Sequence, residues 1–234
     1  MKRFFGRKQG DKIIIEEGEF HHLKSVMRMR EGEKVIASLN DDFDYYCTIE
    51  KLNKNDCVLS IDSVQKCVGL PNKNVVLFQM LPRKDYLDNI IAKSIELGVS
   101  KIVTFSSHNT ISKPLKKERL INQIMTACKQ CERSKLIDFE DTISFEKMLE
   151  ELSNFDLVLF PYENETQMLD AKILNEKTNI AIVVGNETGF TQDEANALKQ
   201  KAISLSLGKR ILRCDTAVIA MLSIVNFFTN NWWD

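Results

Sequence analysis

In the first 68 residues, apolar positions occur in short runs that polar turns separate. Four runs have the length and the β-branched or aromatic content of strands: "DKIIIEE", "EKVIASL", "DYYCTIEKL" and "DCVLSIDSV". The segments "EGE", "NDD" and "NKND" between them have turn composition. Only "EFHHLKSVMRM" has helical spacing, with Phe20, Leu23 and Met27 on one face. This pattern predicts a small β-barrel with one helix.

The pattern changes after "GLPNKN", a turn-rich segment from Gly69 to Asn74. Beyond it, strand-length apolar runs such as "VVLFQML", "KIVTFSS", "FDLVLFPYE", "IAIVVGN" and "AISLSLG" alternate with helical segments. The helical segments are "YLDNIIAKSIELGV", "KERLINQIMTACKQCERS", "FEKMLEEL", one after "IAIVVGN", and a last helix from "DTAVIAMLSIVNFF". Such alternation predicts an α/β fold with a mainly parallel sheet covered on both faces. We therefore expect two domains, at residues 1–69 and 70–234.

The segment "IAIVVGNETGFTQ", from Ile180 to Gln192, joins a strand to a glycine-bounded loop. Its continuous apolar run predicts a strand buried on both faces of a parallel sheet, where ligands bind at strand ends. The loop lacks the lysine and hydroxyl of a P-loop and the spaced glycines of a dinucleotide fingerprint. After it, Thr191 and Glu194 have the spacing of a capping box that begins a helix.

Three strand ends are expected to converge on one cleft: Leu157–Glu163, Val183–Phe190 and Leu205–Ala217. Glycines in the second and third loops allow backbone to approach a ligand closely. The expected pocket has backbone amides and carbonyls, few charges, and apolar walls. Such a pocket suits an adenine and a thioether better than a triphosphate. The residues expected to form the walls are Leu159, Phe160, Ile211 and Leu212.

Charge and composition limit the classes of partner. The 234-residue chain carries a net charge of −1, so no global basic field indicates a nucleic acid. Five local basic clusters nevertheless favour an RNA-binding face: "MKRFFGRK", "HHLKSVMRMR", "RK" at Arg83, "KPLKKER" and "KQCERSK". With neither a signal-type apolar core nor an apolar stretch near membrane-span length, the sequence predicts a cytoplasmic protein that binds no membrane.

The six cysteines are expected to be free thiols, as is usual in a reducing compartment. Cys128 and Cys131 form a C-x-x-C, but no second pair follows to complete a zinc site. The adjacent His21 and His22 point in different directions on a helix or a strand. We therefore predict no metal.

Four motifs carry a family resemblance: "KSIELGVSKI", "ACKQCERS", "VVGNETGFTQDE" and "LSLGKRILRCDTAVIAML". In this order and at these separations they resemble the knotted (SPOUT) methyltransferases that modify uracil N3 in small-subunit (16S) ribosomal RNA. The resemblance spans nearly the whole chain, since "HHLKSVMRMREGEKV" is similar to part of the PUA-like RNA-binding barrel with which that family begins. The leucine-glycine pair followed by two arginines, in "LGKRILR", is the most specific of these patterns.

The resemblance implies an S-adenosylmethionine site within a deep trefoil knot, in which the second and third loops thread past one another. It also implies a homodimer, with the terminal helix at the interface and an RNA site near the seam between subunits. Trp232 and Trp233, at the end of that helix, are expected at packing or dimer contacts. The implied cofactor-binding residues are Leu159, Phe160, Pro161, Val184, Gly185, Asn186, Glu187, Gly189, Leu205, Leu207, Gly208, Ile211 and Leu212.

For the chemistry, uracil N3 must lose a proton before or during methyl transfer, and cations near the uracil oxygens would stabilise the negative charge that develops. Arg213 and Arg133 are the candidates for this electrostatic role. Asp215 or Glu187 is a candidate proton acceptor, directly or through water. Arg133 could equally be an exposed helix arginine. The residues expected to contact RNA are Lys24, Arg28, Arg30, Lys93, Gln130 and Arg133.

Several positions depart from the family pattern. The usual Gly-Pro-Glu-Gly-Gly is "GNETG" from Gly185, and the usual Thr-Glu-Thr after the arginine is Cys214, Asp215 and Thr216. A usual Glu-Arg-Ser is replaced by His108, Asn109 and Thr110, and a usual lysine before the first helix by Tyr86. Two alternatives stay open: a ribose 2′-O-methyltransferase of the same superfamily, and a non-catalytic RNA-binding factor in ribosome assembly.

Overall fold

The computed structural model describes residues 1–108, 110 and 115–231. The chain divides into two compact units, one of Met1–Leu70 with Met125–Leu136 and one of Pro71–Ile124 with Ile137–Asp234. The segment Met125–Leu136, which the sequence division placed in the C-terminal domain, therefore belongs to the first unit. Asn109, Trp232 and Trp233 lie outside the described residues.

The first unit contains a six-stranded sheet in the order β1-β4-β5-β6-β3-β2. Only the β1–β4 pair is parallel. One short helix, α1, covers the sheet and continues into a π-helical turn at His22–Val26. The bounds are β1 Lys2–Phe5, β2 Arg7–Gln9, β3 Lys12–Glu16, α1 Glu17–His21, β4 Lys34–Ser38, β5 Phe43–Leu52 and β6 Asp56–Lys66.

Gly6 connects the two edges of this sheet. It follows β1, which pairs with β4 at one edge, and precedes β2, which pairs with β3 at the other. A Cβ at Gly6 would lie 2.6 Å from Ile15 Cδ1 and 2.8 Å from the Ile14 carbonyl oxygen. Because consecutive strands occupy opposite edges, the sheet is curled into a half-barrel, and only glycine fits where it turns.

The interior of the half-barrel is apolar. Fully buried side chains include Phe4, Ile15, Leu23 and Val35. The strands predicted at β3 to β6 and the single helix are confirmed. The prediction lacked β1 and β2, because their lysines and arginines were interpreted as a charge cluster. β1 depends on pairing with the distant β4, which local sequence does not reveal, whereas β2 forms a short hairpin with β3.

The second unit contains a fully parallel sheet in the order β12-β10-β11-β7-β8-β9. The predicted α/β class with a mainly parallel sheet is confirmed. The bounds are β7 Asn74–Met80, α2 Lys84–Glu96, β8 Lys101–Ser106, α3 Lys117–Gln130, β9 Asp138–Ser144, α4 Phe145–Glu151, β10 Leu157–Pro161, β11 Asn179–Val184, α5 Gln192–Lys199, β12 Ile203–Leu205 and α6 Cys214–Thr229.

The strand order shows why the chain must cross over itself near the sheet edge. β11 lies between β10 and β7, yet the next strand, β12, pairs with the far side of β10. The connection after β11 therefore passes β10 to reach the edge. Because these three strands are parallel, the loops that follow β10, β11 and β12 lie at one end of the sheet.

Two local predictions can be compared directly with this unit. The buried strand β11 is confirmed, with Ile180 to Val184 all buried. So is the capping box of α5, in which Glu194 N donates to Thr191 Oγ1 at 3.2 Å and Thr191 N donates to Glu194 Oε2 at 2.9 Å. Strand β9 was missed because its sequence "DFEDTIS" is largely polar and it lies at the sheet edge.

Helix α6 packs on α2, with Val218, Met221, Leu222 and Val225 buried. Its buried Asn226 donates to the Leu97 carbonyl at 2.5 Å, which joins it to the end of α2. None of the helices that the structure describes is long and apolar enough to cross a membrane.

Candidate active site

The three predicted strand ends meet in one cleft of the second unit. β10 pairs with β11 on one side and with β12 on the other, all in parallel, so their carboxyl ends share one edge of the sheet. Among the residues predicted to bind the cofactor, those that line this cleft are Pro161, Val184, Gly185, Asn186, Gly189, Leu207, Gly208, Ile211 and Leu212.

Four residues of the same predicted set do not line the cleft. Leu159, Phe160 and Leu205 are buried in the strands, at 0%, 0% and 1% exposure, so they support the cleft from beneath. The prediction that Leu159 and Phe160 form walls of the cleft is therefore wrong. Glu187 points elsewhere, toward the start of α2.

The glycines of the cleft have different physical roles. Gly189 has φ +67°, and a Cβ there would lie 3.1 Å from Glu163 Oε1. Gly208 has φ +111°, and no heavy atom lies within 4 Å of an added Cβ. Gly185 instead leaves room for Phe190, whose ring would be 3.0 Å from a Cβ. Backbone is thus open to a ligand at Gly189 and Gly208, whereas Gly185 serves internal packing.

Side-chain amides fix the loop that follows β11. Asn186 Oδ1 accepts from Thr188 N at 3.0 Å and from Thr188 Oγ1 at 2.7 Å, and its Nδ2 donates to the Leu81 carbonyl at 3.3 Å. The fully buried Gln79 donates from Nε2 to the Gly185 carbonyl at 3.0 Å. Since a buried amide hydrogen bond is costly to break, this loop is held in one conformation.

An ion pair ties the same loop to the first turn of α2. Glu187 Oε1 accepts from both Arg83 N, at 3.1 Å, and Arg83 Nε, at 2.9 Å. The hydrogen bond to Glu187 and the neighbouring Tyr86 raise the pKa of Arg83. Its guanidinium lies over the Tyr86 ring, 5.1 Å from the centroid. Tyr86 lies inside α2 rather than before it, which corrects the sequence placement.

The cleft carries more charge than the sequence predicted. Glu163 lies on the loop after β10, whereas Lys209 and Arg210 lie on the loop after β12. Both cations belong to the motif "LGKRILR", whereas no sequence motif indicates a role for Glu163. The lining residues that the prediction omitted are Tyr162, Glu163, Phe190, Ser206, Lys209, Arg210, Cys214 and Ala217.

Arg213 and Asp215 lie at the start of α6, beside the cleft. Arg213 is exposed and is the residue before the first helical turn. Asp215 Oδ2 accepts from Asn89 Nδ2 of α2 at 2.8 Å, and its Oδ1 accepts from Thr216 N at 2.9 Å. Between them, burial raises the pKa of the Cys214 thiol to about 11. Cys214 is therefore a neutral wall of the cleft near pH 7, not a nucleophile.

Arg133 belongs to the first unit and follows the end of α3, so the alternative that it is an exposed helix arginine is wrong. Its exposure is 7%, and burial lowers the pKa of its guanidinium. Its backbone N–H donates to the Cys128 carbonyl at 2.9 Å. An electrostatic role for Arg133 stays a prediction.

The other residues expected to contact RNA are distributed over both units. Lys24, Arg28 and Arg30 are exposed in the half-barrel, and Arg28 adopts φ +53°. Lys24 Nζ donates to the Asn53 carbonyl at 3.0 Å. Gln130, also in the first unit, is exposed at the end of α3, whereas Lys93 of α2 is paired with Glu96 at 2.9 Å.

Residues 70–226 match the family model of the RNA methyltransferase domain, and residues 14–62 match that of the RNA methyltransferase PUA domain. A Bacillus subtilis protein named ribosomal RNA small subunit methyltransferase E is 30% identical over 226 residues, covering 90% of this chain and 88% of the relative. The chain belongs to the ribosomal RNA small subunit methyltransferase E family.

Other members of this family extend the match. The Aquifex aeolicus protein of the same name is 26% identical, over 94% of this chain and 96% of its own length. A solved Neisseria gonorrhoeae ribosomal RNA small subunit methyltransferase E, described as bound to S-adenosyl methionine, has a TM-score of 0.88 with 24% identity and 97% coverage of both chains. The resemblance predicted from the four motifs is confirmed, as is the fold class of a SPOUT methyltransferase after a PUA-like barrel.

Within the described part of the chain, no group of three or more His, Cys, Asp or Glu side chains could hold a metal ion. Among the residues that the structure describes, no disulfide joins any of the six cysteines. Cys128 is buried in α3 and Cys131 follows the helix, with Cys131 Sγ 3.7 Å from the Cys128 carbonyl oxygen.

Proposed function

We propose that the protein transfers a methyl group from S-adenosylmethionine to N3 of a uridine in small-subunit ribosomal RNA, as a cytoplasmic homodimer. The observation that carries this proposal is the cleft at the ends of β10, β11 and β12, in a chain that matches the family over both units. The curated relatives are named small-subunit methyltransferases, which favours this function over ribose methylation or a non-catalytic role.

The residues of the cleft fit S-adenosylmethionine. Gly189 and Gly208 present backbone at positive φ, and Ile211 and Leu212 supply apolar surface for an adenine. A Cβ at Gly189 would close the space beside Glu163. When bound, the cofactor supplies a methyl group attached to a cationic sulfur. The cofactor would be held by the predicted cofactor-binding residues that line the cleft, which begin with Pro161 and end with Leu212.

The role of the protein in the reaction is to position the uracil and to stabilise charge. As N3 loses its proton, negative charge develops on the uracil oxygens, and a fixed cation beside them lowers the barrier. Arg213 is exposed directly next to the lining residues Leu212 and Cys214. We assign it this role. Arg133 would act from the first unit only if the RNA reaches its largely buried guanidinium.

Asp215 is better placed as proton acceptor than Glu187. Both Asp215 oxygens accept one hydrogen bond each, from Asn89 and from its own helix, and each retains a further lone pair. Glu187 is committed to Arg83 through three contacts. We therefore assign proton acceptance, directly or through water, to Asp215.

RNA binding is assigned to the exposed cations of the half-barrel, Lys24, Arg28 and Arg30, with Lys93 and Gln130 as further contacts. The homodimer is supported by the exposed apolar end of α6, where Phe227 and Phe228 are 62% and 49% exposed. The two rings pack edge to face and form one exposed apolar patch, and contiguous patches of this kind mark interaction sites.

The decisive experiment compares nucleosides from small-subunit ribosomal RNA of wild-type and deletion cells by mass spectrometry. The proposal requires that N3-methyluridine is lost on deletion and is restored by the purified protein with S-adenosylmethionine. Loss of a 2′-O-methylated nucleoside instead would establish ribose methylation. If cofactor binds and RNA binds but no methylated nucleoside changes, the protein is an assembly factor and the proposal is wrong.

A further inference from the structure

Glu163 is the acidic side chain among the lining residues of the cleft. It is exposed, on the loop immediately after β10, and its Oε1 faces the backbone of Gly189 across the cleft, 3.1 Å from where a Cβ would be. The other charged lining residues, Lys209 and Arg210, are cationic and lie on the loop after β12. The cleft thus carries opposite charges on two different loops.

The carboxylate of Glu163 has no described partner, unlike that of its near neighbour. Within the described residues, no hydrogen bond or ion pair joins Glu163 to another side chain, and neither Lys209 nor Arg210 pairs with it. Two residues later, Glu165 accepts from Ser204 Oγ at 2.8 Å and from Thr166 N at 3.0 Å, and these contacts lower its pKa to about 2. Glu165 therefore has a structural role, whereas Glu163 is available to a ligand.

Aromatic side chains lie beneath the part of the cleft that contains Glu163. Phe190 packs edge-on against Phe160, at 5.1 Å between ring centroids, and Tyr162 stacks on Phe160 at 5.2 Å, so aromatic surface lies beneath the cleft. Glu163 itself is exposed, so a charge pair that it forms with a ligand is partly screened by water and contributes modestly. A carboxylate without a partner in such a cleft favours a cationic ligand.

We infer that Glu163 discriminates between S-adenosylmethionine and its demethylated product by pairing with the cationic sulfonium. This inference rests on the proposed function, since it assumes that the cofactor occupies this cleft. Methyl transfer converts the sulfonium into a neutral thioether and leaves every other charge of the cofactor unchanged. A carboxylate near the sulfur stabilises the charged cofactor and not the product. The enzyme therefore retains its substrate and releases its product.

The test is calorimetric binding of three ligands to wild type and to Glu163→Gln, which keeps the shape of the side chain and removes its charge. The ligands are S-adenosylmethionine, S-adenosylhomocysteine, and an analogue with a protonated amine in place of the S-methyl group. We expect the substitution to weaken the binding of both cationic ligands by about two- to fivefold and to leave the affinity for the neutral product unchanged, as the loss of one exposed charge pair predicts. Raising the salt concentration should weaken S-adenosylmethionine binding to wild type more than to the variant.

Glu150→Gln is the matched control, because Glu150 is an exposed carboxylate on α4 that does not line the cleft. It should leave all three affinities at the wild-type value. If Glu163→Gln weakens product and substrate by the same factor, the carboxylate serves the ribose or the ammonium group, and the inference is wrong. An unchanged affinity for all three also overturns it. If wild type itself binds neither substrate nor product, the proposed function fails instead.

Discussion

Glu187 and Arg83, 104 residues apart in sequence, join the loop after β11 to the start of α2 through one carboxylate oxygen that accepts from both Arg83 N and Arg83 Nε. The Arg83 side chain is 75% exposed, whereas that of Glu187 is 24% exposed. The pair is therefore a weak contributor to global stability. Its effect is local, since it fixes the loop that contains Asn186 and Gly189.

Arg83→Ala should leave the free energy of unfolding within about 1 kcal/mol of wild type, as is usual for an exposed ion pair. Affinity for S-adenosylmethionine should fall severalfold, because the loop then samples conformations that cannot bind. Denaturant titration and calorimetry measure the two effects separately. Lys84→Ala, the same truncation at the next, exposed residue, should change neither quantity. Equal affinities for Arg83→Ala and wild type would show that the loop needs no such contact.

Gly6→Ala should destabilise the first unit by about 1–3 kcal/mol, because the added methyl group meets a backbone carbonyl and an isoleucine side chain at overpacked distances. Gly18→Ala is the matched control, since nothing lies within 4 Å of a Cβ there. The control should be neutral or slightly stabilising. Chemical denaturation followed by circular dichroism measures both. If the two substitutions have the same effect, Gly6 does not limit closure of the half-barrel.

Features encoded by neighbouring residues could be predicted from the sequence, and features that depend on distant partners could not. The capping box of Thr191 and Glu194 spans four residues, and both of its hydrogen bonds are present. By contrast, β1 is a strand only because it pairs with β4, where Val35 lies opposite Lys2, and no residue near β1 in the sequence indicates this partner.

The candidate site shows the same division. The three loops were predicted because each follows an apolar run, and parallel strands bring such ends together. The sequence could not show that the side chain of Glu187 leaves the cleft for Arg83, or that Glu163 faces Gly189, because neither contact is local. Leu159 and Phe160 were placed in the walls because apolar residues at a strand end suit either a wall or a core, and only packing distinguishes them.

Arg28→Ala combined with Arg30→Ala should weaken RNA binding while leaving cofactor affinity unchanged. Both side chains are exposed in the half-barrel. If each contacts a phosphate, the slope of log K against log salt should fall by about one unit for each lost contact. Lys147→Ala with Lys172→Ala removes two exposed positive charges from the second unit and should leave the slope as it is. If the slope for the double arginine variant equals that of wild type, Arg28 and Arg30 do not contact RNA phosphates.

Gly189→Val should lower affinity for S-adenosylmethionine by about a hundredfold or more and leave the chain folded. A Cβ at this φ of +67° is strained and would lie 3.1 Å from Glu163 Oε1, so either the loop shifts or the valine side chain occupies the cleft. The strained backbone alone costs about 1–3 kcal/mol of stability. Gly10→Val is the matched control, with φ +62° and open space around it. Gly10→Val should lose a similar amount of stability and bind the cofactor normally. If Gly189→Val also bound the cofactor normally, the cofactor site would not lie in this cleft.

Arg213→Ala should lower the single-turnover rate at saturating RNA by about a hundredfold or more, as the removal of one oriented stabilising group does in other enzymes. Arg213 is exposed at the start of α6, next to the cleft and outside its lining residues, so cofactor affinity should change little. Arg213→Lys should recover part of the rate, because an ammonium keeps the charge but lacks the planar pair of donors of a guanidinium. Rapid-quench kinetics and calorimetry measure the two quantities on the same preparations.

A role in bracing the start of α6 has a different signature, in which Arg213→Ala loses stability and cofactor binding together while its folded fraction reacts at the wild-type rate. That outcome would show that Arg213 does not stabilise the charge that develops on the uracil.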